Sequence, residues 1–283
     1  MTQTAVGDER LNSLVEFAGL LADEARRVTT KYFRTPVVAE IKPDASPVSI
    51  ADREVEAVIR GMIEEAYPDH GIFGEEEAPV RIDARHVWVI DPIDGTQNFI
   101  DGVPHFAVLV GLQLDGLPVL GLVHASMLGA LDGPPEQQGL SWWGGPGLGA
   151  WKGPGTTRDS TRAQQLKSRP CPRLEEAFVT HGGLKHIQSA GLWDPFTDII
   201  ASSRRNRGYG DWLGHMLVAE GVCDGMVDPR VALYDLAAVE PILLAAGSVL
   251  IASEPLPLQD GFLGQAVSGT EHIAGELAER LGF

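Results

Sequence analysis

The chain has 283 residues, enough for one large domain or two fused lobes, and its 44% hydrophobic and 22% charged residues fit a soluble globular protein. Its net charge of −17 excludes a nucleic-acid binder working through a basic face, and it repels anionic substrates unless bound cations reverse the local field. The apolar runs all fall short of the roughly 18 residues of a membrane span, and the polar N-terminus lacks the order of a signal peptide.

Residues 9–33 form an expected amphipathic helix, with Leu11, Leu14, Val15, Ala18, Leu21, Ala22 and Ala25 at helical spacing. A short strand is expected over 37–41, a two-proline loop over 42–47 and a second helix over 49–66 with Val55, Val58, Ile59, Met62 and Ile63 inward. The period then changes. Short apolar runs over 72–74, 87–90, 107–112 and 119–123 read as strands, with Asp115-Gly116-Leu117-Pro118 in a hairpin turn. Residues 141–143 and 149–151 suggest another strand pair. A polar, turn-rich stretch over 152–172 marks a lobe boundary, with an N-terminal lobe over 1–152 and a C-terminal lobe over 153–283. Beyond it come a strand over 177–180, helices over 195–202, 210–221 and 236–246, a strand over 248–252 and a closing helix over 270–281. This order predicts a layered α+β architecture rather than a simple doubly wound sheet. Cys171 and Cys223 fit no disulfide framework, so a reducing cytoplasm is the expected setting.

The segment with the most chemistry is Asp91-Pro92-Ile93-Asp94-Gly95-Thr96, just past a predicted strand. Two carboxylates three apart in a tight loop can share a hard cation, with a backbone carbonyl as a third oxygen donor, the ligand type that Mg²⁺ prefers. Gly95 permits close backbone approach, and the Gly95 and Thr96 amides are candidates to meet a phosphate. The same residues would also make an ordinary turn. Three further acidic features have simple local explanations. Glu75, Glu76 and Glu77 would serve as a solvated surface run, Asp235 as a helix N-cap, and Asp52 as a first-turn acid complementing a helix dipole.

Taken together, these features resemble the inositol monophosphatase family. The marks are Gly-Glu-Glu at 74–76, the run Trp88-Val89-Ile90-Asp91-Pro92-Ile93-Asp94-Gly95-Thr96-Gln97-Asn98-Phe99, and Tyr234-Asp235-Leu236-Ala237. The resemblance implies an αβαβα sandwich and a phosphatase. Glu75, Asp91, Asp94, Asp235 and the Ile93 carbonyl would hold two or three Mg²⁺, with Mn²⁺ as a substitute. Glu75 and Thr96 would orient the attacking water, Asp52 would support Thr96, and Gly95, Thr96 and Asp94 would face the phosphate. A homodimer is likewise implied. Haloacid-dehalogenase-type phosphatases carry Asp-x-Asp-Gly-Thr; the longer spacing here would misplace their general acid.

For the substrate, Lys42-Pro43-Asp44-Ala45-Ser46-Pro47-Val48-Ser49 and Arg207-Gly208-Tyr209-Gly210-Asp211 resemble stretches of bacterial histidinol-phosphate phosphatases in this superfamily. Asp228, seven residues before Asp235, stands where the family places an acid against the leaving group, and Asp211 is a second candidate contact or a helix N-cap. Lys42 is an anion contact or a solvated lysine. Ser49 in place of Thr, Tyr234 in place of Trp, and an inserted stretch over 132–138 depart from the pattern. The expected reaction is hydrolysis of histidinol phosphate. Inositol 1-phosphate, sugar phosphates and nucleotide 3′-phosphates are the alternatives, and a silent metal- or phosphate-binding regulator is the non-enzymatic one. The eight histidines add no motif.

Overall fold

Apolar residues recurring at three and four positions build α1 (Val6–Tyr32) and α2 (Ile50–Ala66), whose buried stripes include Leu21, Ala25, Val55, Ile59 and Ile63. The computed structural model describes residues 6–36, 39–41, 47–132, 134, 137–156, 162–254 and 262–283. A small hairpin of β1 (Ala39–Ile41) and β2 (Pro47–Ser49) joins the two helices. Residues 37–38 of the expected first strand, most of the 42–47 loop with its Lys42, and residues 133, 135 and 136 of the apparent insertion lie outside the described residues.

Seven strands follow in one sheet: β3 (Gly71–Gly74), β4 (His86–Asp94), β5 (Ala107–Leu114), β6 (Leu117–Ala130), β7 (Gly139–Gly145), β8 (Gly149–Pro154) and β9 (Gln164–Gln165). They lie in sequence order; β3 runs parallel to β4, and every later pair is antiparallel. Leu114 and Leu117 pair across a two-residue turn in which Asp115 (φ 52°) and Gly116 (φ 79°) both take the left-handed conformation that matches strand twist. The side-chain period of two splits β4 cleanly. Trp88 and Ile90 pack under α1 and α2, and Val87 and Val89 join the core on the opposite face.

The second sheet has the order β11-β10-β12-β14-β13, built from β10 (Phe178–His181), β11 (Arg205–Arg207), β12 (Gly225–Ala232), β13 (Val249–Ala252) and β14 (Leu263–Gly269). Between the sheets lie α6 (Asp211–Ala219), α7 (Leu233–Leu236) and α8 (Val239–Ala246), and their residues share a core with both. On the outer face, α5 (Trp193–Ser202) and α9 (Glu271–Leu281) close a third core. The remaining helices, α3 (Thr96–Ile100) and α4 (Leu184–Ser189), are short. The layers are therefore helix pair, seven-stranded sheet, helices, five-stranded sheet, helix pair: the α+β sandwich anticipated from the element order. Among the described residues no helix is long and apolar enough to cross a membrane.

One expectation needs correction, and four strands escaped notice. The helix expected over 236–246 is two helices, α7 and α8, separated by Ala237 and Ala238. Strands β12 and β14 escaped notice. In β12 the polar Asp228-Pro229-Arg230 interrupts the apolar alternation, and the pairing with β14 shifts register there. The polar edge strands β9 and β11 lack an apolar pattern altogether.

Candidate active site

The site begins where β4 leaves regular pairing, with a register shift against β5 between Asp91 and Asp94. Inside this irregularity the Asp91 carboxylate accepts the Ile93 backbone N–H at 3.0 Å, so the loop folds back on its own side chain. Gly95 then adopts φ 91°, and an added Cβ would lie 2.8 Å from the His105 carbonyl oxygen. That turn aims Thr96 at α2. The Thr96 hydroxyl sits 3.1 Å from Asp52 Oδ1 and 3.0 Å from the Ile93 carbonyl oxygen, so its single proton has two acceptors. Asp52 is fully buried in the first turn of α2. Its Oδ2 accepts the Ser49 N–H at 2.8 Å and the Ser49 hydroxyl at 2.6 Å, while Ser49 Oγ accepts from Ala51 N–H. This is a capping box, with Asp in the place of Glu or Gln. The first-turn acid is thus both a cap and the partner of Thr96.

Asp235 comes from the other side. It is the third residue of α7, not its N-cap, and its Oδ2 accepts the Ala232 N–H at 2.6 Å. The approach of α7 to the first sheet depends on two glycines that face each other across β5 and β6, Gly111 and Gly121. A Cβ on Gly121 would stand 1.8 Å from the Ala238 carbonyl oxygen, and one on Gly111 would stand 2.7 Å from the Ala237 carbonyl carbon. The backbone break between α7 and α8 therefore rests directly on the strands.

Asp94 points across to α6, where its Oδ2 accepts the Trp212 N–H at 2.9 Å. Asp211 is the first residue of α6, with Gly210 at the cap position, so it is not the N-cap. It holds φ 51°, an uncommon conformation that Asp tolerates, and accepts from Asn98 Nδ2 at 3.3 Å. Asp228 stands on β12 with His215 Nε2 3.7 Å from its Oδ2, and His215 Nδ1 pairs with Ser268 Oγ at 2.8 Å. Asp94, Asp211, His215, Asp228, Arg230 and Asp235 line one cavity of about 100 Å³.

The electrostatics tie these acids into one group. Burial first, then the charges of Glu75, Asp94, Asp235 and Asp52, push the Asp91 carboxyl well above the usual range. Asp94 is raised likewise by burial, then by Asp211, Asp235 and Asp228, against the opposing Trp212 N–H. Burial lifts Asp235 to about 8; the Ala232 N–H opposes the shift, and Glu75 and Asp228 add to it. Asp52 is raised by burial and Asp211 by burial and then Asp228.

That donor set fits a hard cation. It is all oxygen, Asp91 is buried and Glu75, Asp94 and Asp235 are half-buried, and its members repel one another until something positive intervenes. As the side chains stand, no three Asp, Glu, His or Cys groups among the described residues already converge as a finished cage. A cation bound there would offset the repulsion among these carboxylates.

The fold places Asp91, Asp94 and Asp235 around the loop, Asp52 behind Thr96, and Asp211 and Asp228 across the cavity; Glu75 lines a separate cavity with Glu76 and Glu77, near enough for its charge to act on Asp91 and Asp235. Sequence reasoning missed the Trp212 amide, Asn98, His215 and Arg230. An amide donor has no sequence signature, and a lone His is indistinguishable from a core residue until its neighbours are known. Trp142 and Trp143 are core residues.

Comparison with known proteins agrees with this geometry. The model of the inositol monophosphatase family matches residues 10–280. A histidinol-phosphatase of Mycobacterium tuberculosis is 33% identical, over 89% of this chain and 92% of that protein. A histidinol-phosphatase of Streptomyces coelicolor is 34% identical, over 94% and 97%. Among solved structures, an inositol monophosphatase from Zymomonas mobilis superposes with a TM-score of 0.77 at 29% identity, covering 99% of this chain and all of that one. Motifs, layers and relatives converge: the chain belongs to the inositol monophosphatase family, and it is a phosphatase, a hydrolase of phosphoric monoesters.

Proposed function

We propose that this phosphatase hydrolyses histidinol phosphate to histidinol and phosphate, with Mg²⁺ held by Glu75, Asp91, Asp94, Asp235 and the Ile93 carbonyl. Bound there, Mg²⁺ would lower the pKa of a water and offset negative charge on the phosphate and the leaving alkoxide. The chain's own residues do the positioning. Asp52 anchors the Thr96 hydroxyl, and Thr96 with Glu75 orients the attacking water. The Gly95 and Thr96 amides, in the turn that opens α3, hold phosphate oxygens.

The observation that carries the substrate reading is the acid pair at the far side of the cavity. There burial first, and then repulsion from Asp228, raise the Asp211 carboxyl. A substrate bearing an ammonium group relieves that repulsion, and histidinol phosphate bears one. The histidinol-phosphatases among the relatives support the same choice. Neutral inositol hydroxyls could also donate to these acids, and the likeness to an inositol monophosphatase keeps that reading in the test.

The test is phosphate release from histidinol phosphate, inositol 1-phosphate, fructose 1,6-bisphosphate and adenosine 3′,5′-bisphosphate, compared by kcat/KM. Histidinol phosphate should lead, and a clear preference for inositol 1-phosphate would overturn the choice. Turnover should vanish in EDTA and return with Mg²⁺. Asp94→Asn should lower it by at least about a hundredfold, the upper end for loss of even an outer partner of a metal site. Turnover unchanged in EDTA would sink the metal assignment.

A further inference from the structure

Glu75 hangs on the short loop after β3, a position that ordinary loop motion would blur. The structure shows what steadies it. Glu56, fully buried on α2, accepts the Glu76 N–H at 2.7 Å and the Glu77 N–H at 3.0 Å. Arg60, one helical turn further along and 6% exposed, donates Nε to Glu56 Oε1 at 2.8 Å and Nη2 to the Glu77 carbonyl oxygen at 2.9 Å. Both peptide N–H groups after Glu75 and the carbonyl closing the run are therefore held by two side chains of one helix. Gly74 completes the seat, since a Cβ there would lie 2.1 Å from Glu56 Oε1.

Asp52, Glu56 and Arg60 are spaced four apart, which places them on one face of α2 with a rise of about 6 Å per step. The first of them holds Thr96 and the other two hold the Glu75 loop. We propose that Glu56 and Arg60 are positioning residues for the reaction: this face of α2 sets the placement of Glu75 relative to Thr96, and with it the affinity of the site for its cation. Neither side chain reaches the cavity, so each acts through the backbone of the loop. The inference rests on the reading of Glu75 as a cation ligand. It also explains why a buried Arg–Glu pair, in itself a weak source of stability, sits at this point.

The experiment is titration of Mg²⁺ into the metal-free protein by calorimetry, alongside Mg²⁺ activation curves and thermal melts, for wild type, Glu56→Gln and Arg60→Lys. Gln keeps the volume but presents an amide to the two N–H donors and loses the charge that orients Arg60. Glu56→Gln should weaken Mg²⁺ binding and raise half-saturating Mg²⁺ by about tenfold or more, with KM for the phosphate ester at saturating Mg²⁺ within about twofold of wild type. Arg60→Lys keeps the charge but lacks the guanidinium fork, so it should shift both readings in the same direction by about threefold. It also serves as the test if Glu56→Gln fails to fold. A lower melting temperature with unchanged Mg²⁺ affinity in the folded variants would make the pair a structural salt bridge only and overturn the proposal. A wild-type protein that neither binds nor needs Mg²⁺ would overturn the cation site itself, an outcome distinct from wild-type Mg²⁺ dependence that the variants leave unmoved.

Discussion

In the proposed mechanism Thr96 acts through one hydroxyl with two acceptors. Its proton can go to Asp52 or to the Ile93 carbonyl, and whichever accepts it sets the torsion of the hydroxyl and with it the direction of the oxygen lone pairs. Thr96→Ser keeps that hydroxyl and should retain most of the turnover. Thr96→Val keeps the shape without it and should lose about a hundredfold, the low end for a positioned proton-handling group. Phosphate release under saturating substrate and Mg²⁺ separates the two; equal rates would remove Thr96 from the mechanism. At this scale the sequence was highly legible. Asp91, Asp94 and Thr96 stand in one motif, because a tight turn concentrates their chemistry in six residues. Trp212 was invisible because it contributes only a backbone N–H, and His215 because nothing in its neighbours' letters points to Asp228.

At the scale of elements, the pairing of Gly111 with Gly121 matters most. Side chains at these positions would stand where Ala237 and Ala238 rest, so the two glycines make the dent that seats the α7–α8 break. Gly121→Ala should cost about 3 kcal/mol in urea unfolding, at the upper end for overpacking, since the atom it meets is backbone. It should also displace Asp235 and weaken Mg²⁺ activation even where the protein stays folded. Unchanged stability would show that α8 can shift without loss. Helices and hairpins read well from periodicity: α1, α2 and the β5–β6 turn fell within a few residues of expectation. The α7–α8 break did not, although Pro241, which has no N–H for the Ala237 carbonyl, marks it in the sequence; the glycine pair beneath seats the interruption. Strand β12 hid behind Asp228-Pro229-Arg230, where a bulge trades apolar alternation for an acid facing the cavity.

For the molecule as a whole, the crowded acids make stability depend on pH and on cations. Asp235 is raised to about 8 and Asp91, Asp94, Asp52 and Asp211 are raised as well. Each is neutral in the fold over a range where the unfolded chain is ionised. The folded state therefore binds more protons, and stability present below about pH 4 is lost as pH rises toward 8. His124 acts in the opposite sense. Burial lowers it to about 3, so its contribution is lost as pH falls below about 6.5. Metal-free protein should accordingly melt at lower temperature at pH 8 than at pH 6. Added Mg²⁺ should raise the melting temperature more at pH 8, where it has no protons to displace. A melting temperature flat across that range, with and without Mg²⁺, would refute the coupling. The sequence by itself determined the layered α+β class and the phosphatase family and pointed to the acids proposed to carry the chemistry, because periodicity and motif spacing are local properties that survive being read in one dimension. Only the tertiary structure decided that α2 holds both Thr96 and the Glu75 loop, that Asp211 and Asp228 face one cavity, and that a glycine pair seats Asp235. Those relations depend on which distant residues share a few ångströms, and the order of letters does not encode that contact directly.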